Sequence, residues 1–276
     1  MKIPRLFGLH AKPSPRLKRF LSILPFILLL GVYLIASHAR LKENPSDKLL
    51  PSPLKMVKAV KRMAFTEDKR SGDYLMLKDT TSSLRRIGIG VSLAAVLGLL
   101  VGLHLGLLPG LRSTFLTFIT FLSIIPPLSI LPIIFITFGV GELAKVMLIF
   151  LGTVFLISRD LTIAVRAIPK EQITKALTLG ASEFQVIYRI IMPQIIPRLI
   201  DTTRLSLGAA WLFLIASEAV ASTDGLGYRI FLVRRYLAMD VIIPYVIWIT
   251  FIGYTLDWIL RKTISLKYSW YLESKE

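Results

Sequence analysis

Six long apolar runs divide this chain, and they limit what it is able to fold into. A helix that crosses a lipid bilayer needs about 20 mostly apolar residues to span roughly 30 Å of hydrocarbon. The candidate spans cover residues 20–37, 87–108, 115–138, 143–158, 205–221 and 241–260. Lys145 leaves the fourth run only a short uncharged stretch, so five spans with one re-entrant segment are an alternative. The runs predict an all-α, polytopic membrane protein with six transmembrane helices.

The composition excludes several functional classes. Hydrophobic residues make up 54% of the chain, more than is usual in a soluble domain. The chain has no cysteine, which excludes a disulfide framework and a thiol nucleophile. Its three histidines, His10, His38 and His104, stand apart and form no metal-site pattern. The net charge of +17 lacks the interleaved aromatic residues of a nucleic-acid surface, so it predicts contact with anionic membrane lipid rather than nucleic acid.

A long polar segment separates the fourth and fifth candidate spans. Pro169 is suited to open a short helix there, because its missing N–H costs nothing in the first turn. Gly180 is suited to end that helix in a left-handed cap. Ser182 and Gln185 have capping-box spacing for a second helix, which we expect Pro193 to stop. Two short helices around a glycine corner form a compact knob that suits docking, although an ordinary amphipathic connector is the alternative.

The spacing in this segment resembles a known motif. It reads Ala, three residues, Gly, nine residues, Ile, one residue, then Met-Pro. This is similar to the cytoplasmic coupling loop of ABC importer permeases, whose pattern is E-A-A-x3-G-x9-I-x-L-P. Thr174 and Lys175 depart from it, since the family usually has Glu and Ala there. The resemblance assigns to the coupling loop, residues 166–201, the positions Ala176, Gly180, Ala181, Ser182, Ile190 and Pro193.

Four further motifs resemble the nitrate/sulfonate/taurine/bicarbonate group of ABC importer permeases, and with the coupling loop they cover about residues 75–262. They are Ser83-Leu84-x-Arg86-x3-Gly90, Ile125-Pro126-Pro127-x4-Leu131-Pro132, Phe138-Gly139-x-Gly141-Glu142 and Ser222-x-x-Gly225-Leu226-Gly227-Tyr228. The resemblance implies a type I ABC importer permease fold in a bacterial inner membrane. It also implies a homodimer, two cytoplasmic ABC ATPase subunits, an external solute-binding protein, and inward movement of a small oxyanion, sulfonate or similar solute by alternating access.

The chain does not carry an ATP-hydrolysing site of its own. The glycine-rich stretch from Gly139 to Lys145 has neither the spacing nor the hydroxyl residue of a phosphate-binding loop. We therefore expect no enzyme activity and no cofactor in this chain, with ATP and magnesium bound by the partner ATPase. A secondary transporter without an ATPase is the alternative. It would need coupling carboxylates deep in the spans, and only Glu218 and Asp257 qualify.

Three features of the spans have structural or functional interpretations. Small residues at every fourth position of the second span predict close helix packing; they are Gly90, Ala94, Gly98, Gly102 and Gly106. Pro126 and Pro127 in the third span predict either a plain kink or a bent helix that lines the translocation pathway. Glu218 in the fifth span, with Trp211 on roughly the same face, predicts either a pathway or gating role or a structural hydrogen bond.

The charge distribution suggests an orientation. The basic N-terminus predicts an inside start under the positive-inside rule, and the coupling loop must face a cytoplasmic ATPase, so both termini are expected to be cytoplasmic. The first apolar run is either a retained span or a signal peptide cleaved near Ser37-His38-Ala39. The predicted organisation is a basic N-terminus (1–19), a first span (20–37), an external segment (38–83) with an amphipathic helix at 54–64, a core permease domain with five spans (84–262) and a C-terminal tail (263–276).

Overall fold

The computed structural model describes residues 14–69 and 72–273, and every regular element in these two stretches is helical. This confirms the all-α prediction. Most of the predicted basic N-terminus, with His10, and the last residues of the C-terminal tail lie outside the described residues.

Twelve α-helices follow one another along the described chain. They are α1 (Pro15–Glu43), α2 (Pro53–Phe65), α3 (Leu75–Leu107), α4 (Pro109–Ile124), α5 (Leu131–Phe138), α6 (Glu142–Arg166), α7 (Lys170–Thr178), α8 (Glu183–Val186), α9 (Met192–Val220), α10 (Leu226–Arg234), α11 (Met239–Lys267) and α12 (Ser269–Glu273). A 3-10 turn, Pro127–Ile130, precedes α5, and a π-helical segment, Ile187–Ile191, joins α8 to α9. Five helices are long and apolar enough to cross a membrane: α1, α3, α6, the combined helix Glu183–Val220 and α11.

The third candidate span is broken rather than continuous. Its two parts, Pro109–Ile124 and Pro127–Phe138, meet at an angle of 84°. Pro126 and Pro127 cannot donate backbone hydrogen bonds, and each proline pushes the residue before it out of helical geometry. Ile125 accordingly has an extended backbone, with ψ at 122°. The structure thus has six spans if this bent pair counts as one.

The fourth candidate span, which the sequence marked as the weakest, is a continuous helix of 25 residues. Lys145 does not interrupt it, because its ammonium group donates to Glu142 at 2.8 Å and the residue is 3% exposed. The charge that weakened the sequence pattern is therefore paired with a carboxylate of the same helix.

The helices α3 and α6 pack against each other along the stripe of small residues. A Cβ atom placed on Gly98 would lie 2.6 Å from Ile157 Cγ2, and one on Gly102 would lie 2.7 Å from Leu161 Cβ. Gly90 and Gly106 face α6 in the same way, and Ala94 is fully buried. These positions let the two backbones approach more closely than larger side chains allow.

The second helix of the knob does not end at Pro193, where the sequence predicted its end. It continues from α8 through the π-helical segment into α9, and Pro193 lies in the first turn of α9. A π segment widens the helix by one residue per turn, and the first turn of a helix tolerates a proline. The second half of the predicted knob is therefore the beginning of a 38-residue helix, Glu183–Val220.

The amphipathic helix expected at residues 54–64 is present as α2. Its N-cap is Ser52, and the preceding turn is fastened to α1, where Tyr33 and Ser37 donate to the carbonyl oxygen of Pro51 at 2.6 and 3.3 Å. Most of the remaining apolar surface of α1 is exposed in the single chain.

We call the end of the bundle where α6 finishes and α9 begins the coupling-loop end, and the end where α9 finishes the opposite end.

Candidate functional site

Arg86 is the centre of an ion cluster at the opposite end, in which Arg86 and Glu218 are buried and Glu142 is exposed. Its Nε and Nη2 atoms donate to the two carboxylate oxygens of Glu142, both at 2.7 Å. Its Nη1 donates to Glu218 Oε1 at 2.7 Å and to the carbonyl oxygen of Asp224 at 3.0 Å, while Nη2 donates to Asp224 Oδ1 at 2.5 Å. One guanidinium from α3 thereby joins the beginning of α6, the end of α9 and the loop after α9.

Glu218 is completely buried in this cluster. Besides Arg86, its carboxylate accepts from Ser83 Oγ and from the backbone N–H of Gly227, both at 2.8 Å. Gly225 has φ at +117°, and a Cβ there would lie 2.4 Å from Glu218 Oε1. The loop after α9 therefore needs glycine to fold over the carboxylate. These contacts are the hydrogen bonds that the structural interpretation of Glu218 requires, and the pathway role stays a prediction.

A second buried acid, Asp79 of α3, fixes the same loop from the other side. Its carboxylate accepts from the backbone N–H of Gly225 at 3.0 Å, from Arg229 Nε at 2.8 Å and from the Tyr245 hydroxyl at 3.1 Å. Burial lowers the pKa of Arg229, but its hydrogen bonds with Asp79 outweigh burial and hold that pKa above its ordinary value. Leu226 N–H also donates to Ser83 Oγ at 2.9 Å. An acidic and a basic side chain of α3, Asp79 and Arg86, thus hold the loop against that helix.

The sequence patterns did not predict a site at Asp79, Arg86 or Arg229. Arg86 and Ser83 stood only in a family motif, and Asp79 fell within the predicted external segment. A usable signal was present, however, because Asp79 and Arg86 lie seven residues apart, which places both on one face of a helix. Charges on the buried face of a membrane helix need partners of opposite sign.

The predicted knob is present at the coupling-loop end. Gly180 ends α7 with φ at +87°, and Ser182 and Gln185 exchange the two capping-box hydrogen bonds, at 2.9 and 3.3 Å. The N–H of Ala181 donates to the carbonyl oxygen of Ala176 at 3.0 Å, which closes the turn. This local hydrogen bonding makes the corner a defined shape rather than a free loop.

The knob presents apolar side chains on its outside. Leu179, Phe184 and Tyr188 are 79, 74 and 67% exposed, and the rings of Phe184 and Tyr188 are stacked with centroids 6.2 Å apart. On its inner side, Ala176 and Ile190 pack against a core cluster of the spans. The knob is therefore anchored on one face and free for a partner on the other.

Ion pairs connect α9 to its neighbouring spans beyond the knob. Asp160 of α6 accepts from Arg198 Nε at 2.7 Å, and it also bonds Arg198 Nη2 and the Thr202 hydroxyl. Arg204 donates to Asp257 of α11 at 2.9 Å. These contacts tie α9 to α6 and α11.

The pathway candidates do not form one cluster. Pro126 is exposed and Pro127 half-buried at the break before α5, whereas Trp211 is 7% exposed in the core. The indole N–H of Trp211 has no hydrogen-bond partner among the described residues. In the described part of the chain, no group of three or more His, Asp or Glu side chains is arranged to hold a metal ion.

Comparisons with known proteins identify the family of the chain. Residues 94–262 match the family model described as binding-protein-dependent transport system inner membrane component. The taurine transport system permease protein TauC of Escherichia coli (strain K12) is 31% identical over 216 residues, which is 78% of each chain. The putative aliphatic sulfonates transport permease protein SsuC of the same organism is 30% identical over 244 residues, 88% of this chain and 90% of its own.

A further relative and a solved structure extend the comparison. The bicarbonate transport system permease protein CmpB of Synechococcus elongatus is 29% identical and aligns with 77% of this chain and 81% of its own. A chain of the MetNI methionine ABC transporter in an inward-facing conformation superposes with a TM-score of 0.61. It covers 72% of this chain and 99% of its own at 18% identity, which shows a shared fold.

Proposed function

This chain belongs to the family of binding-protein-dependent transport system inner membrane components, and we propose that it is the membrane-spanning subunit of an ATP-driven importer. The observation that carries the proposal is the knob around Gly180, which is anchored on the spans and exposes Leu179, Phe184 and Tyr188. Exposed apolar groups beside polar ones are typical of a surface that docks a partner. We assign this surface to a cytoplasmic ABC ATPase.

The transmission of movement follows from the helix that starts in the knob. Glu183–Val220 is one helix of 38 residues, so it connects the docking surface directly to the loop clamped by Arg86 and Asp79. When ATP closes the ATPase dimer, the knobs of two subunits approach and the spans rock from inward- to outward-facing. The nucleotide states of the ATPase bind the two conformations of the spans with different affinities, and this difference supplies the free energy of the shift.

The transported solute is a small oxyanion, sulfonate or similar compound. The relatives named above are permeases for taurine, aliphatic sulfonates and bicarbonate, and each of these compounds carries an acidic group. An external solute-binding protein would deliver the solute to the end of the spans that carries Gly225. The assembly is a homodimer of this chain in the inner membrane, with both termini and the knob in the cytoplasm and ATP and magnesium held by the ATPase.

The test is to purify the tagged full chain from its native membrane in mild detergent and to identify the proteins that accompany it by mass spectrometry. We expect an ATPase with a phosphate-binding loop, at one copy per permease chain. Recovery of the chain without any ATPase, also after crosslinking, would contradict the proposal and favour a secondary transporter.

A further inference from the structure

Arg159 stands apart from the other buried and half-buried charged groups of the spanning helices. The carboxylates of Glu218, Asp160 and Asp257 each face an arginine. Arg159, by contrast, has no carboxylate within salt-bridge distance anywhere in residues 14–69 and 72–273. Its Nη1 donates to Ser123 Oγ at 2.7 Å. A guanidinium has five N–H donors, so most of its hydrogen-bonding capacity is unused by the described protein.

The position of Arg159 makes that unused capacity costly. It lies seven residues before the end of α6 and directly after the apolar run 143–158, so its Cα is about 10 Å from the helix end at 1.5 Å per residue. A half-buried charge at the end of an apolar span is expensive unless it faces protein, water or an ion. Asp160, the next residue, does not pair with it because its carboxylate is bonded to Arg198 and Thr202.

The partner of Arg159 lies directly before the break in the third span. Ser123 is in the last turn of α4, and its hydroxyl donates in turn to the carbonyl oxygen of Thr120 at 2.7 Å. Beyond it, Pro126 and Ser129 are exposed. Non-helical backbone at membrane depth is tolerated only where it is covered by protein or lines a water-filled cavity. On the proposed function, the exposed break lines the route or meets the second subunit rather than lipid, and Arg159 lies beside it.

We propose that Arg159, whose guanidinium donates to Ser123, is an oxyanion-binding residue on the transport route. The inference rests on the proposed function, because it requires that the spans conduct a solute. A planar guanidinium pairs with two oxygens of a sulfonate, carboxylate or bicarbonate group at once. Glu218 does not oppose such a solute, since its carboxylate is enclosed by Arg86, Ser83 and Gly227. Among the described cations of α6, Arg159 alone is half-buried and has no carboxylate partner. It thus selects for a negatively charged solute.

The experiment measures anion binding without requiring transport. The full chain in lipid-free detergent is titrated with methanesulfonate, bicarbonate and nitrate at constant ionic strength, and the midpoint of thermal unfolding is followed. Dimethyl sulfone, a neutral analogue of methanesulfonate, is the matched ligand control. We expect at least one anion, and not the sulfone, to stabilise the wild-type chain, and its apparent Kd to rise roughly tenfold or more in Arg159→Gln.

Three variants separate anion binding from a structural role. Arg159→Lys keeps the charge and should retain part of the effect, and Ser123→Ala loses only the hydrogen bond between α4 and α6 and should retain most of it. Arg85→Gln removes an exposed arginine of α3 and should bind as the wild type does. Equal loss in Ser123→Ala and Arg159→Gln would overturn the proposal, because the helix contact alone would then explain both.

Two further outcomes would also overturn it. One is that no anion stabilises the wild type beyond the sulfone, or that Arg159→Gln binds anions equally well. The other is that phosphatidylglycerol added to the detergent stabilises the chain through Arg159 while free anions do not, which would make the lipid headgroup its partner. The proposed function fails by a different result, the absence of an ATPase from the purified complex, so the two failures are distinguishable.

Discussion

At the scale of single residues, Glu218 shows how a carboxylate is kept in a membrane span. Its two oxygens receive hydrogen bonds from Ser83, Arg86 and the backbone of Gly227. A buried charge whose partner is removed costs several kcal/mol, whereas a paired and hydrogen-bonded charge is tolerated. The contacts that hold the loop after α9 therefore depend on the negative charge of Glu218 as well as on the shape of its side chain.

We expect Glu218→Gln to lower the free energy of unfolding by roughly 1–3 kcal/mol, because the amide must turn an N–H₂ group towards one of three donors. The measurement is thermal unfolding of the purified chain in detergent. Asp224→Asn is the matched control. It removes another carboxylate that faces Arg86, but its side chain is 23% exposed, so water is able to replace the lost contact. A larger loss in the control than in Glu218→Gln would contradict this account.

The same variant addresses the pathway role that the sequence suggested for Glu218. If the carboxylate takes part in gating, Glu218→Gln should uncouple ATP hydrolysis from uptake in proteoliposomes beyond what its loss of stability explains. Unchanged uptake and unchanged coupled hydrolysis would leave Glu218 with a structural role alone.

The sequence made part of this residue-level arrangement predictable. Glu218 stood out because an acid interrupts an apolar run, and its need for a partner followed from the cost of burying it. Its partner Arg86 lies 132 positions away in the chain, and no local pattern links the two. Pairing between distant helices depends on how those helices pack, which periodicity alone does not determine.

At the scale of helices, α3 and α6 depend on glycine at their contact. We expect Gly98→Ala to destabilise the chain by about 1–3 kcal/mol, because the new Cβ would lie 2.6 Å from Ile157 Cγ2 and would force the helices apart. Gly88→Ala is the control in the same helix, since no atom lies within 4 Å of its added Cβ. The control should be neutral or slightly stabilising, as alanine favours helix. Equal melting temperatures of the two variants would argue against close packing at Gly98.

The glycine corner of the knob is a second element that admits a specific test. Gly180 has φ at +87°, and no atom lies within 4 Å of an added Cβ. A substitution there is therefore opposed by backbone strain of about 1–2 kcal/mol and not by a clash within the chain. We expect Gly180→Ala to reduce co-purification of the ATPase, Gly180→Asn to reduce it less because asparagine adopts this conformation more readily, and Gly180→Arg to abolish it while membrane insertion stays intact.

Normal solute uptake by Gly180→Arg would contradict the assignment of the coupling loop. Loss of the variant from the membrane fraction would point to a folding defect, in which case Gly180→Asn and Gly180→Ala carry the comparison. Their ranking reports on backbone conformation, because both side chains extend into open space.

Prolines explain why the helix boundaries were harder to predict than the helices. Pro126 and Pro127 end α4, because two consecutive residues lack an N–H and both disfavour helix before them. Pro193 does not end a helix, because it follows a π-helical segment and lies in a first turn. The same residue type therefore breaks one span and not the other. The difference lies in the backbone around it, which the sequence pattern does not display.

At the scale of the whole molecule, the apolar runs predicted six spans because bilayer thickness sets the length of a helix. The structure has five helices long and apolar enough to cross a membrane, or six if the bent pair counts as one. The runs did not predict where each helix begins. The helix α3 begins at Leu75, within the segment expected to be external, and it extends there because Asp79 and Ser83 bind the loop after α9. The predicted orientation of the bundle rests mainly on the coupling loop, because the basic residues are spread over the segments expected on both sides of the membrane.

That orientation is open to direct measurement, because the chain has no cysteine and any introduced thiol is unique. Leu179→Cys places a thiol on the knob, at a side chain that is 79% exposed. Thr66→Cys places one at the end of α2, in the segment expected to be external. In intact cells, a membrane-impermeant maleimide should label Thr66→Cys and not Leu179→Cys. After the membrane is opened, both should react, which shows that each thiol is accessible. Labelling of Leu179→Cys in intact cells would place the knob outside, where no ATP-driven subunit is able to reach it, and would remove the basis for an ATPase-coupled importer.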